Sequence, residues 1–423
     1  MQLQERFSPH HCPAQIFTFN QGLTLVHQYL PALPVVVADV WVKAGATAEP
    51  QGWFGMAHFL EHMIFKGTKR IPPGVFDQMI EHRGGMTNAA TSHDYAHFFL
   101  TTAADYLPET LPYLAEILLQ AEIPEAEFYC EREVVLEEIR GSDDDPDWLA
   151  FQSLCQQLYP HHPYGRSVLG QEAGLLNLTP NQMRCFHRTH YQPENLTVVL
   201  VGDVEEHQAL HLIQETFEGF APRSECPPLE TYPDINCTIP TPQTLCLENL
   251  GPQRLMLGWR GPGIISLEDN IGLDLLSAIL AGGHCSRLIQ ELREEKQIVL
   301  DLQSSFSLQK ESSLFSITAW LEPQFRQEVE EVILQHIHSL HCHPVREEEL
   351  ARAQRLLCND YIFSTETPCQ LAGLYGYYQT LATAEWASYY PRWVRSFTPP
   401  TLQVLAQKYL SLGGYGRVDL VAL

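Results

Sequence analysis

The stretch Ala57-His58-Phe59-Leu60-Glu61-His62-Met63 reads H-x-x-E-H. Helical positions four apart share a face, so His58 and His62 project side by side, and Glu61 lies on the same side. Two imidazoles so placed are a ready grip for Zn²⁺, and an adjacent carboxylate is positioned to take a proton from a water activated there. Catalytic zinc takes three protein ligands and leaves one position for water, so the remaining chain is asked for one more.

The acidic segment Glu131-Arg132-Glu133-Val134-Val135-Leu136-Glu137-Glu138-Ile139-Arg140 is where that ligand is sought. Positions 131, 134, 135 and 138 are spaced i, i+3, i+4, i+7, which puts Glu131 and Glu138 on one helix face with Val134 and Val135 pointing inward. Glu133, Glu137 and Arg140 fall on the opposite, solvated face. Carboxylates on an apolar face are costly unless something pairs with them, and a metal with its ligands would do so. Glu138 is taken as the ligand, with Glu137 as the fallback. Glu131 is taken as a supporting catalytic group behind the ligands.

Before the H-x-x-E-H helix, Gly22–Tyr29 alternates and Pro34–Lys43 is β-branched, so both read as strands. Pro72–His82 reads as a helix, Met86–Leu100 as strand, Leu107–Leu119 as helix, and a long helix runs from Pro124 to about Arg140, stopped at Asp143-Asp144-Asp145-Pro146. Leu196–Val201 is a strand ended by Gly202-Asp203, and His207–Phe217 is helical. Pro222, Pro227, Pro228, Pro233, Pro240 and Pro242 leave no room for a regular element, so residues 222–244 read as a linker.

The second half repeats the order of the first. Arg254–Gly261 matches the strand Val35–Lys43, Asn270–Leu276 opens the counterpart of the His58 helix, Arg287–Lys296 follows as the next helix, and Leu300–Leu308 with Leu314–Leu321 are the next strands. A repeat of this length is a duplicated domain, not a solenoid unit. The matching helix, LDLLSAIL, has neither His nor Glu at the matching positions, so one metal site per chain is expected. The fold class that results is α+β: two homologous domains, residues 1–221 and 245–423, each a mainly antiparallel sheet with helices packed on one face.

The formal net charge of −25 speaks against nucleic acid as a partner. It is compatible with basic peptides as substrates and equally with solubility alone. Eleven cysteines without C-x-x-C pairs suit a reducing, cytoplasmic compartment better than a disulfide framework. The start MQLQERFSPHH has no apolar core, and no run of about 18 apolar residues occurs, so no membrane partner is expected.

At this point the chain resembles the pitrilysin family, the inverzincins, whose inverted zinc motif is H-x-x-E-H. Gly84-Gly85-Met86-Thr87-Asn88-Ala89-Ala90-Thr91-Ser92 looks like the family's GGxxNAxTS strand. Glu131 and Glu138 match its two acidic positions seven apart, and Asp144-Asp145-Pro146 follows. His162-Pro163-Tyr164-Gly165, Tyr191-x-Pro193-x-Asn195 to Gly202-Asp203, and Ser286-Arg287-Leu288 to Leu292-Arg293-Glu294 fit in order, so the resemblance spans nearly the whole chain. It implies one zinc held by His58, His62 and Glu138, with Glu61 as general base in peptide hydrolysis. It implies that Asn88, Ala89, Ala90 and Thr91 bind an extended peptide by strand addition. It also implies that the two domains form half of a clamshell chamber closed by a second chain.

One departure stands out. Active members carry an arginine and a tyrosine seven apart in the second copy, where they bind substrate and stabilise the oxyanion. Here Arg293 is kept, while the tyrosine position is Leu300. Losing one oxyanion donor costs on the order of 3 kcal/mol. The expectation is a heterodimer in which a homologous zinc-less subunit brings the arginine–tyrosine pair, with Ser304 or Ser305 as the substitute hydroxyl otherwise. The competing reading is a non-catalytic assembly or scaffold homologue, against which the intact His58, Glu61 and His62 speak. His336, His338, His341 and His343 around Cys342 read as an exposed turn, Cys130 as a buried apolar filler, and His93 and His97 as structural residues sharing a strand face.

Overall fold

The computed structural model describes residues 13–232, 240–248 and 250–423. The first residues of the chain and part of the proline-rich segment lie outside them. In chain order the first half holds β1 (Gln15–Thr18), β2 (Thr24–Tyr29), β3 (Val35–Val42), α1 (Met56–Ile64), α2 (Val75–Glu81), β4 (Met86–Thr91), β5 (Ala96–Ala103), α3 (Leu107–Leu119), α4 (Glu125–Asp143), α5 (Pro146–Leu158), α6 (Glu172–Leu175), α7 (Pro180–His190), β6 (Leu196–Gly202) and α8 (Glu206–Thr216). The second half holds β7 (Gln243–Leu247), β8 (Gln253–Pro262), α9 (Leu267–Ala281), a π-helix (Ile289–Glu295), β9 (Asp301–Leu308), β10 (Ser312–Leu321), α10 (Arg326–Cys342), α11 (Glu347–Phe363), α12 (Pro368–Leu381), α13 (Glu385–Ser396), α14 (Pro399–Tyr409) and β11 (Gly416–Ala422).

The strands form two sheets, ordered β1-β2-β6-β3-β5-β4 and β7-β11-β8-β10-β9. Apart from β1 the two orders match position for position, and each sheet has one parallel pair, β2 with β6 and β7 with β11. The α+β class and the internal duplication therefore hold at the level of topology. The sequence reading missed β1, β7 and β11. All are short or poorly alternating, and each is held by its neighbours in the sheet rather than by its own pattern.

The helices are not confined to one face of each sheet, and the reason is visible in β3. Its sequence VVVADVWV is buried from Val36 to Val42. Val36, Ala38, Val40 and Val42 face α1, α3, α4 and α7 in one core. Val37 and Trp41 join Val26, Val199 and Val201 in a different core, built mainly from the second half. The element covering that other face is α12, packed on β3 and β6. Trp41 lies so close to α12 that a Cβ on Gly376 would come within 1.9 Å of its Nε1. The exchange is reciprocal: α5 of the first half packs on β8 and β11, with Ala150, Leu154 and Leu158 against Met256, Val418 and Leu420. Strands buried on both faces read as continuous apolar runs, as these do.

Several local expectations need correction. On α4 the buried residues are Phe128, Val135, Leu136 and Ile139, while Val134 is 46% exposed. At about 100° per residue, Val135 and Ile139 fall within about 20° of Phe128, Glu131 and Glu138 about 60–80° to one side, and Val134 about 120° away. The two carboxylates thus flank the buried stripe instead of sitting within it. Cys130 lies on the opposite side of α4 and is exposed, not a core filler. His93 sits in the turn between β4 and β5, so it shares no strand face with His97. Its Nε2 meets Arg166 O at 3.0 Å, while His97 Nδ1 meets Asp39 Oδ1 at 3.1 Å. His336, His338 and His341 lie on α10, and His336 and His341 bond apart, to Glu291 and to the Ala406 carbonyl. The segment after α9 is a π-helix followed by Gln297 at φ 53°, not an α-helix. Among the described residues no helix is long and apolar enough to cross a membrane.

Candidate active site

The helix α1 starts at a tight place. Gly55 precedes it at φ 89°, and a Cβ there would also meet Leu169 O at 2.7 Å, so only glycine fits. The first-turn amides have no partner within the helix. The Glu49 carboxylate, buried, accepts from Gly55 N at 3.1 Å and Ala57 N at 2.9 Å. Burial pushes its pKa up to about 8, against the pull of these two donors and of Arg166. Phe59, Leu60 and Met63 anchor the other face in the core, which fixes the direction of His58, Glu61 and His62.

Those side chains meet α4. His58 Nε2 and His62 Nε2 each lie 3.5 Å from Glu138 Oε2. One ligand atom from each of the three residues fits within 4.8 Å of the others. Atoms bound about 2.0–2.2 Å from a tetrahedral ion stand about 3.3–3.6 Å from one another, and the two histidine–glutamate separations fall in that range. His62 Nδ1 is paired with Glu131 Oε1 at 3.0 Å, which leaves its Nε2 lone pair to the cluster. Burial, with His62 adding to it, pushes the His58 imidazole down to about 4, so it is neutral at neutral pH, as a metal ligand must be. Its Nδ1 is buried with no hydrogen-bond partner among the described residues. The fallback Glu137 is turned away and pairs with Arg140.

Glu61 lies beside this cluster. Thr91 Oγ1 donates to Glu61 Oε2 at 2.5 Å. Burial raises the Glu61 pKa, opposed by that hydrogen bond and by His62. The bond ties α1 to β4, which is the last strand of its sheet with one edge unpaired. On β4 Asn88 and Ala90 are exposed, Ala89 and Thr91 half-buried, and Asn88 Oδ1 accepts from Ala89 N at 2.9 Å.

Two contributors escaped the sequence reading. Lys66 Nζ lies 2.6 Å from Glu131 Oε2, so Glu131 is clamped from two sides. Its position four after His62 was the available signal. Glu49 had no signal, because it acts across a loop. Arg293 is brought elsewhere: its ion contacts are with Glu294 and Asp301. Leu300 is 59% exposed, with its N–H given to Trp320 O. Ser304 is committed to Ser277, while Ser305 is exposed.

Two matched α+β halves, one bearing a two-histidine, two-glutamate centre beside an open sheet edge, define the class. Family models agree: residues 25–172 match the one described as Insulinase (Peptidase family M16), and residues 177–357 the one described as Peptidase M16 inactive domain. The zinc protease PqqE of Helicobacter pylori is 29% identical over 85% of this chain and 82% of that protein. An uncharacterised zinc protease of Mycobacterium leprae is 30% identical over 82% of this chain and 78% of that protein. The crystal structure of a protease from Helicobacter pylori superposes with a TM-score of 0.89 at 26% identity, covering 96% of this chain and 99% of that one. A peptidase M16 inactive domain from Pseudomonas fluorescens has a TM-score of 0.86 at 19% identity, covering 97% and 98%, a likeness of fold. The chain belongs to peptidase family M16, the insulinase or pitrilysin family of zinc proteases.

Proposed function

We propose that the chain is a zinc-dependent endopeptidase acting on short or unfolded peptides, with one zinc held by His58, His62 and Glu138. The observation that carries this reading is the convergence of those three ligand atoms beside Glu61, itself bonded to the edge strand β4. Bound zinc supplies Lewis-acid polarisation of a carbonyl and activation of water. Glu61 takes a proton at its carboxylate and hands it to the leaving amine, and its burial brings its pKa towards that double task. Thr91 keeps one Glu61 oxygen fixed, so the other is the one that carries the proton. Glu131 and Lys66 hold His62 in orientation and tautomer. The unpaired edge from Asn88 to Thr91 takes the peptide as an added strand.

In this reading residues 1–221 form the zinc-bearing half, 222–244 a linker, and 245–423 a half without the motif. With Leu300 in the tyrosine position, a homologous zinc-less chain supplies the arginine–tyrosine half of the site. The protein works in the cytoplasm, on peptides that the acidic net charge allows to be basic.

Metal analysis after gentle purification tests the reading, with about one zinc per chain expected. Glu61→Gln keeps that zinc and loses hydrolysis by on the order of 10²–10⁴-fold. Absence of zinc would leave the scaffold reading in its place, and undiminished cleavage by Glu61→Gln would overturn Glu61 as the general base.

A further inference from the structure

The proline-rich segment between the halves is no loose tether over its first residues. Gln192 Nε2 donates to Ala221 O at 3.1 Å, Thr189 Oγ1 donates to Ser224 O at 2.9 Å, and Arg223 pairs with Glu194. Residues 221–226 are thus laid along the end of α7 as a strap. Further on, Tyr232 OH accepts from Arg166 Nη1 at 3.3 Å. Arg166 in turn covers the Phe54 ring and donates to Ala46 O, both in the loop before α1.

At the strap's docking point two thiols face each other. Cys185 on α7 and Cys226 on the strap have their sulfurs 3.9 Å apart. Cys226 Sγ lies 3.3 Å from Thr189 Oγ1, and Cys185 donates to Glu225 O at 3.4 Å, so both are oriented into one small site. Both are partly exposed, and so within reach of a small oxidant. A disulfide needs sulfurs about 2.05 Å apart, so the closure is about 2 Å, within the give of a strap held on one side only. The other described cysteines are also free thiols.

We propose that Cys185 and Cys226 are a redox-modification site, forming a reversible disulfide that fastens the strap to α7. The chemistry balances with glutathione disulfide as oxidant. One thiol, deprotonated, attacks a glutathione sulfur and releases one glutathione thiolate. The second protein thiolate then attacks the mixed disulfide, forms the Cys185–Cys226 bond and releases the second glutathione. The two protein sulfurs are oxidised, one glutathione disulfide is reduced to two thiols, and the two protons pass to the released glutathiones. The inference is independent of the peptidase reading.

The full chain is equilibrated with glutathione disulfide, quenched by alkylation and digested. The expected result is a cross-linked peptide pair joining Cys185 to Cys226 and lighter by two hydrogens, absent from Cys185→Ser and Cys226→Ser and reversed by dithiothreitol. Trypsin cleavage after Arg223 slows at least severalfold in the oxidised chain, and Tm rises by on the order of 2–5 °C. Recovery of both thiols alkylated, or each capped by its own glutathione, under conditions that modify the exposed Cys130 would overturn the proposal. So would a cross-link equally frequent to other cysteines.

Discussion

Glu131→Gln is the sharpest test of how the centre is held. The carboxylate is 13% exposed and makes two contacts, to His62 Nδ1 at 3.0 Å and to Lys66 Nζ at 2.6 Å. The amide can still accept from His62 through its oxygen, but that rotamer turns its NH₂ onto the Lys66 ammonium, donor against donor. A hydrogen bond to a charged group is worth about 1.5–3 kcal/mol, and one of the two is lost. Outer partners of metal ligands set affinity by about 10–100-fold, or about 1.4–2.7 kcal/mol, which agrees with the loss of one such bond. Glu131→Gln should therefore weaken zinc about tenfold, and Glu131→Ala, which loses both contacts, about 100-fold. Competition with a chromophoric chelator at neutral pH reads both. Lys66→Met should cost much in the native chain and little in Glu131→Ala, because its partner is already gone. If both Glu131 variants hold zinc within about threefold of the native chain, Glu131 is not what orients His62.

Three other outcomes follow from the structure. Gly376→Ala places a Cβ 1.9 Å from Trp41 Nε1, so it should lower the unfolding free energy measured in urea by about 1–3 kcal/mol or more, whereas Gly258→Ala, which meets the movable end of Leu154 at 2.7 Å, should cost less. His187 is buried with Nε2 2.7 Å from Leu118 O, and burial pushes it down to about 4. Its folded pKa lies below the unfolded value of 6.5, so its contribution is intact above that pH and is lost as pH falls towards 4. The loss is about 2 kcal/mol at about pH 5, and the pH slope of denaturant stability should shrink in His187→Gln. Leu300→Tyr should raise peptide hydrolysis by the chain alone at least about tenfold if the missing donor is what limits it, with no change in zinc content.

The parts of the site legible in the sequence are those whose geometry is local. His58, Glu61 and His62 are related by helical spacing alone, and Glu131 and Glu138 by two turns of another helix, so both sets could be placed before any tertiary contact was known. What joined them was different. The pairing of Thr91 with Glu61 and of Glu49 with the first turn of α1 depends on how elements dock, which no periodicity encodes. The inward face of α4 was misjudged for a related reason. An i, i+3, i+4, i+7 set names a face, but the neighbour decides which side of it is buried, and Phe128 and Ile139 set the stripe. The exchanged helices were illegible altogether. Trp41 and Gly376 lie at opposite ends of the chain, and the only trace of their contact is that β3 is apolar on both sides.

The duplicated topology bears on why, among the described residues, such a centre lies in the first half. α1 and α9 occupy equivalent places, each after the sheet's central strand and before the outer hairpin. α9 also carries polar residues four apart, Asn270, which is buried, and Asp274, which is half-buried. In its case they are closed off. Ser313 donates to Asn270 Oδ1 at 2.8 Å, and Tyr390 of α13 donates to Asp274, whose pKa burial raises to about 6. α11, α13 and α14 pack over α9, whereas α1 is flanked by α4, α7 and β4. Polar groups largely withdrawn from water must be satisfied by the protein or by a ligand. The second half meets that requirement with Ser313 and with Tyr390 of the twelve-residue α13, where the first half has only the four-residue α6 in the same chain position. The same scaffold position is thus closed by hydrogen bonds to neighbouring elements in one half and carries the His58–His62–Glu138 cluster in the other, and the longer α13 over α9 is one difference between them.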